Sequence, residues 1–137
     1  DYWSARMTDP LSDIESLVLS DDRSQILDIG GKVQSLSEVE GQYIGLIKIR
    51  KDIAHQLPKL WKSLRRKKTY NDRSVDSIHM TDFLTYMMTT GIEVVPIITN
   101  NGWLEFDTLE DLELYERLHE SRSLSFFRVP RSFQTVK

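Results

Sequence analysis

The chain has 137 residues, 39% of them hydrophobic and 28% charged, so it has the makings of a folded domain with a real core and not of a disordered chain. The net charge is −3, which argues against a nucleic-acid binder driven by bulk charge. Cysteine is absent, which removes disulfides and thiolate metal sites, and no apolar run approaches the roughly 20 residues of a membrane span.

No membrane partner and no signal-like segment are expected, and a cytoplasmic location is the default. The first residue is Asp1, followed directly by Tyr-Trp-Ser-Ala-Arg, so the chain reads as the middle of a protein, a fragment or a cleaved product.

Residues 1–13 read as loop. Residues 14–19 and 25–29 are short apolar strands around the polar turn Asp21-Asp22-Arg23-Ser24, which suggests a hairpin ended by Gly30-Gly31. Residues 35–40 are a loop or one helical turn. Residues 43–49, Tyr-Ile-Gly-Leu-Ile-Lys-Ile, are almost wholly apolar and predict a central strand covered on both faces.

Residues 51–66 carry a helical period through Ile53, Leu57, Leu60, Trp61 and Leu64. Pro58 either kinks that helix or starts a new one. Its last turn is basic (Arg65, Arg66, Lys67, Lys68), which suits a helix C-terminus and otherwise stays in water; a phosphate contact is the minority reading. Residues 69–77 read as a polar connection.

Residues 81–90 predict a helix with Phe83, Leu84, Met87 and Met88 inward, closed by Gly91 in the left-handed region. Residues 92–98 predict a strand interrupted by Pro96. Asn100-Asn101-Gly102 is a turn, and Trp103, Leu104 and Phe106 have strand character. Thr108 caps a helix over 109–119, with Asp111 as the acid of a capping box. Leu109, Leu112, Tyr115 and Leu118 are expected on its inner face, with Glu110, Glu113 and Glu116 outward. Residues 121–137 form a tail that packs back on the body. Strands mixed with helices give the class α/β, as one domain over 1–137.

Asp107 stands between a strand and a helix start, where ligands collect in open α/β sheets. Glu105 shares its face at a spacing of two. An oxygen pair of this kind suits Mg2+. On spacing alone, a helix-start acid needing no metal is the better reading of Asp107. His55, His79 and His119 are scattered, with no zinc pattern among them, and His55 and His119 read as surface residues on helix faces. No P-loop, GxGxxG or GxSxG stretch is present.

Several stretches together resemble the sugar-phosphate-type nucleotidyltransferases. They are Thr81-Asp82-Phe83-Leu84, Gly91-Ile92-Glu93-Val94, and Gly102-Trp103-Leu104-Glu105-Phe106-Asp107-Thr108-Leu109-Glu110-Asp111-Leu112. The first half is similar to the members that charge phosphocholine or phosphonates, through Asp1-Tyr-Trp-Ser-Ala-Arg6, Asp9-Pro10-Leu11-Ser12-Asp13-Ile14-Glu15 and Gly41-Gln42-Tyr43-Ile44-Gly45-Leu46-Ile47-Lys48-Ile49. The resemblance covers residues 1–117.

It implies the later half of a Rossmann-like nucleotidyltransferase fold, a mixed sheet flanked by helices. It further implies Mg2+, an NTP donor (CTP) and a small phosphorylated alcohol, phosphonate or sugar phosphate as acceptor. Asp107 matches the family's second metal-binding aspartate and is the catalytic and metal residue implied. Trp103, Glu105, Lys48 and Arg6 are the substrate-binding residues implied. The family's glycine-rich triphosphate loop and first metal aspartate are absent from these residues, and Gln42 replaces an acid. The 137 residues alone are therefore expected to be inactive, and a homodimer is a possible assembly. The alternative is a non-catalytic binding or dimerisation module that retains the fold.

Overall fold

A computed structural model describes residues 5–7, 9, 11, 14–100 and 102–124. The chain divides into two compact units, one of residues 13–96 and one of residues 1–12 with 97–137. Its described elements give an α/β fold with two short two-stranded sheets and accompanying helices.

In the first unit, β1 (Glu15–Leu19) pairs antiparallel with β2 (Ile26–Lys32). Asp22 organises the turn between them. It accepts from the Ser20 and Ser24 hydroxyls and the Ser24 N–H, which holds its carboxyl at about 2. The hairpin expected from the sequence is present, but β2 runs on through Gly30-Gly31 instead of ending there. The ladder slips between Glu15 and Leu17, and the glycines lie opposite that slip. Ser16 fills the irregularity: its Oγ accepts from the Gly31 N–H at 2.8 Å and donates to Asp28. Glu40 covers the outer edge of β1. Its N–H donates to the Leu17 carbonyl at 3.1 Å, and its carboxylate accepts from the Leu19 N–H at 2.6 Å. A single 3-10 turn, Leu36–Glu38, leads to it.

Pro58 does start a new helix. A short α1 (Lys51–Ala54) precedes α2 (Leu57–Arg65), which has the proline in its first turn, where a missing N–H costs nothing. Residues 69–77, expected to be a plain connection, contain a small hairpin of β3 (Thr69–Tyr70) and β4 (Arg73–Ser74), followed by the 3-10 turn Val75–Ser77. Asn71 and Asp72 both take positive φ, 47° and 61°, the requirement of a tight two-residue hairpin turn. The Asn71 side chain donates to Asp82 at 2.9 Å and ties this turn to the next helix, α3 (Met80–Thr89). Asp82 also accepts from the His79 N–H at 2.9 Å, the acid half of a capping box. Gly91 takes φ +84° just beyond the helix, as the sequence indicates.

Helix α3 is the shared wall of two apolar clusters. Leu84 and Met87 meet Leu17, Leu19 and Ile29 of the hairpin, while Tyr86 joins Leu64 of α2 and Val75. The close approach of α3 to β2 depends on Gly30. A Cβ there would stand 2.8 Å from Thr81 Cβ. The Thr85 hydroxyl then reaches the Ile29 carbonyl at 3.0 Å.

The strand expected over residues 43–49 does not form. Gly45 takes φ +77°, and Leu46 is 81% exposed. An apolar run becomes a central strand only when ladders form on both its edges, and none of the described strands pairs with it. The strand expected over 92–98 is likewise not a ladder. Ile92 and Val94 pack on the hairpin cluster, but among the described residues the backbone reaches the hairpin through one long bond, Ile26 N–H to the Val94 carbonyl at 3.4 Å.

In the second unit, α4 (Leu109–Glu120) follows Thr108 as expected. Its buried face is set by Asp111 and Tyr115, with Leu114 and Leu118 half-buried. Leu109 and Leu112, expected inward, are exposed, because Arg6 draws the Asp111 edge of the first turn inward instead. Residues 103–106 form no strand. Ala5 and Arg6, expected in a loop, are helical. The Asn101 turn position and residues 125–137 of the expected tail lie outside the described residues.

Candidate functional site around Arg6 and Asp107

The start of α4 is built from the sequence Asp107-Thr108-Leu109-Glu110-Asp111. The Thr108 hydroxyl accepts from the Asp111 N–H at 3.2 Å, and the Asp111 carboxylate accepts from the N–H groups of Thr108 and Asp107, each at 3.0 Å. This satisfies backbone donors that a helix start otherwise leaves open. It also locks the Asp107 backbone against the first turn of the helix.

Arg6 enters this cap from the other end of the sequence. Its Nε donates to Asp111 Oδ1 at 2.7 Å and its Nη2 to Asp111 Oδ2 at 3.0 Å, a two-pronged pair. Its Nη1 donates to Glu105 at 2.7 Å, and Nη2 also donates to Asp107 Oδ2. The Arg6 side chain is only 4% exposed, while those of Glu105, Asp107 and Asp111 are 36%, 61% and 7% exposed. One cation thus sits among three carboxylates, with solvent reaching mainly Asp107.

The ionisation states follow from these contacts. The bond to Asp111 holds the Arg6 guanidinium firmly protonated; burial opposes this and the bond to Asp107 adds to it. The Arg6 bond holds the Asp111 carboxyl well below the usual carboxylate range, against the cost of burial and with help from the Asp107 and Thr108 N–H groups.

Of the residues singled out in the sequence, Arg6, Glu105 and Asp107 are brought together. Trp103 lies half-buried in the same segment, four residues before Asp107. Lys48 is exposed in the other compact unit. Asp111 was legible as a capping acid only. Its pairing with a cation 105 positions away has no signature in local spacing. Phe106, expected to have strand character, instead packs edge-on against Tyr115 with ring centroids 4.9 Å apart.

The donor set is compatible with Mg2+ of the kind that phosphate ligands help to hold. Among the described residues no group of three or more acidic or histidine side chains is arranged to cage a metal. Asp107 nevertheless has a largely exposed carboxylate, and only its Oδ2 is engaged among the described residues. Mg2+ commonly takes one or two protein carboxylates and completes its shell with water and substrate phosphates. A pinned, solvent-facing carboxylate meets that requirement.

The chain is similar to a CTP:phosphoglutamine cytidylyltransferase of Campylobacter jejuni, 29% identical over 112 residues, which is 82% of this chain and 44% of that protein. The chain therefore spans less than half the length of this curated relative. No family model matches it, and no solved structure does. The likeness is at the level of nucleotidyltransferases and singles out no subtype. No helix among the described residues is long and apolar enough to cross a membrane.

Proposed function

We propose that this chain is the acceptor-side and metal-side part of a Mg2+-dependent nucleotidyltransferase that moves a nucleoside monophosphate, CMP, from CTP to a small phosphorylated acceptor in the cytoplasm. The observation that carries the reading is the 112-residue likeness to a cytidylyltransferase. The acceptor classes are a phosphorylated alcohol, a phosphonate or a sugar phosphate. An oxygen of the acceptor attacks the α-phosphorus of the nucleotide and pyrophosphate leaves, a reaction in which alignment of the reactants is the protein's main task.

Asp107 is the residue that would hold Mg2+, and the metal, when bound, neutralises phosphate charge. Arg6 acts on Asp107 as a positioning residue: it fixes one carboxylate oxygen of a side chain that is mostly exposed. Glu105 shares the Arg6 guanidinium and so keeps its own carboxylate beside the same point. Trp103 offers an aromatic face suited to a cationic acceptor group, and Lys48 is a phosphate-binding cation in the other compact unit.

The test uses the full-length protein with CTP, candidate acceptors and Mg2+. Asp107→Ala is expected to abolish pyrophosphate release while the circular dichroism spectrum stays unchanged, because the side chain is mostly exposed. Undiminished release by this variant overturns the reading.

A second reading, a binding module that pairs with another copy of itself, is favoured by the apolar run around Leu46, Ile47 and Ile49, all exposed. Sedimentation of the chain decides it: a dimer that Ile47→Lys dissolves supports this reading, and a monomer removes it.

A further inference from the structure

We infer that a groove along α2 binds a small compound carrying a diphosphate group. The groove is lined by His55, Pro58, Lys59, Lys62, Ser63 and Arg66. Every polar side chain in this lining can donate a hydrogen bond, and none is a carboxylate. The inference stands apart from the role given to Asp107, because every lining residue belongs to the unit of residues 13–96.

The placement of the cations follows from helix geometry. Lys59, Lys62 and Arg66 are spaced three and four residues apart, so they fall on one side of the helix and span about 10 Å of its axis. Pro58 bounds the groove at the start of the helix. The neighbouring cations behave differently. Arg65 pairs with Asp76 at 3.3 Å, and Arg50 pairs with Asp52 at 2.6 Å. Lys67 lies over the rings of Tyr70 and Tyr86, 5.9 Å and 5.3 Å from their centroids. Among the described residues, no carboxylate pairs with Lys59, Lys62 or Arg66. In a chain of net charge −3, three uncompensated cations are thus collected in one concave place.

A ligand with a single charge would leave most of that field unanswered. Two linked phosphates can bridge successive cations, with lysines as point charges and Arg66 able to offer a fork to one phosphate. The Ser63 hydroxyl and the His55 ring add further hydrogen-bonding groups. These contacts read only the phosphates and not the rest of the ligand. A free diphosphate and a nucleotide therefore share the same recognition chemistry.

Calorimetric titration of the whole chain with inorganic pyrophosphate, and separately with CDP, tests this at physiological ionic strength without added metal. Saturable binding is expected. Lys62→Glu should weaken it by about tenfold or more, and Lys51→Glu, the same charge change outside the groove, by less than about twofold. Both residues are exposed, so thermal unfolding should be unchanged; Lys59→Glu provides a second variant with the same expected loss. Tighter binding of CDP than of pyrophosphate assigns a nucleotide, and equal or weaker binding assigns the free diphosphate. Two results overturn the proposal: no saturable binding at millimolar ligand, or equal weakening by Lys51→Glu and Lys62→Glu.

Discussion

Arg6 grips Asp111 through two nitrogens, Nε at 2.7 Å and Nη2 at 3.0 Å, with both side chains largely shielded from water. The acid that caps α4 is thereby also the counter-ion of a buried guanidinium. Removing the cation leaves a shielded carboxylate unpaired, which costs more than the pair itself contributes. Arg6→Ala is expected to destabilise the chain by about 3 kcal/mol in urea denaturation. Arg6→Lys should recover only part of this, because an ammonium cannot fork across Asp111 while also reaching Glu105.

Acid should expose the same contact. The Asp111 carboxyl is held below its ordinary value, first by the Arg6 hydrogen bond and then by the backbone N–H groups around it. Its folded value therefore lies under its unfolded value of about 3.9. The stabilisation is complete above that unfolded value and is lost as pH falls through the depressed folded one. Unfolding free energy measured from pH 6 downward should drop steeply below about pH 4, and Asp111→Asn should flatten that slope.

Asp107 and Asp111 should part company in stability measurements. Asp107 is 61% exposed, whereas Asp111 is 7% exposed and holds the helix cap as well. Asp107→Asn is expected to change stability by less than about 1 kcal/mol, because the Asp107 carboxylate is largely hydrated and Arg6 keeps Asp111 and Glu105 as partners. Asp111→Asn should cost clearly more, and thermal melts of the two variants side by side provide the check.

Gly30 controls how closely α3 approaches β2. Its φ of +84° disfavours a side chain, and an added Cβ would meet Thr81 Cβ at 2.8 Å and Thr81 Oγ1 at 2.9 Å. Gly30→Ala should therefore lose more than about 2 kcal/mol, from the left-handed backbone penalty and the contact together. Amide hydrogen exchange along α3 should rise with it. In the second cluster Leu64 is 0% exposed, and Leu64→Ala should cost about 2–5 kcal/mol by the same denaturation assay.

What could be seen in the sequence was whatever local spacing decides. The β1–β2 hairpin follows from two apolar runs around a serine-aspartate turn. The break at Pro58, the Gly91 stop and the Thr108–Asp111 box each rest on residues within a few positions of one another. Residues 43–49 and 92–98 depart from expectation because a strand is completed by its neighbours. Their β-branched composition says only that they would suit a ladder. The small hairpin at Asn71-Asp72 did carry a signal, two residues tolerant of positive φ between Tyr70 and Arg73, but strands of two residues are too short to show alternation. The site was half legible. Glu105 and Asp107 stand out by period and Asp111 by its cap, yet nothing in the spacing announces that Arg6 joins all three.

The open stretch around Leu46, Ile47 and Ile49 has a practical consequence. It combines β-branched residues and an unladdered backbone with no proline, and Lys48 is its one charge. Such a segment templates cross-strand stacking between molecules. Lys48 is therefore also its gatekeeper against aggregation, and neutralising that lysine should lower the concentration at which the chain precipitates, whatever its effect on ligands.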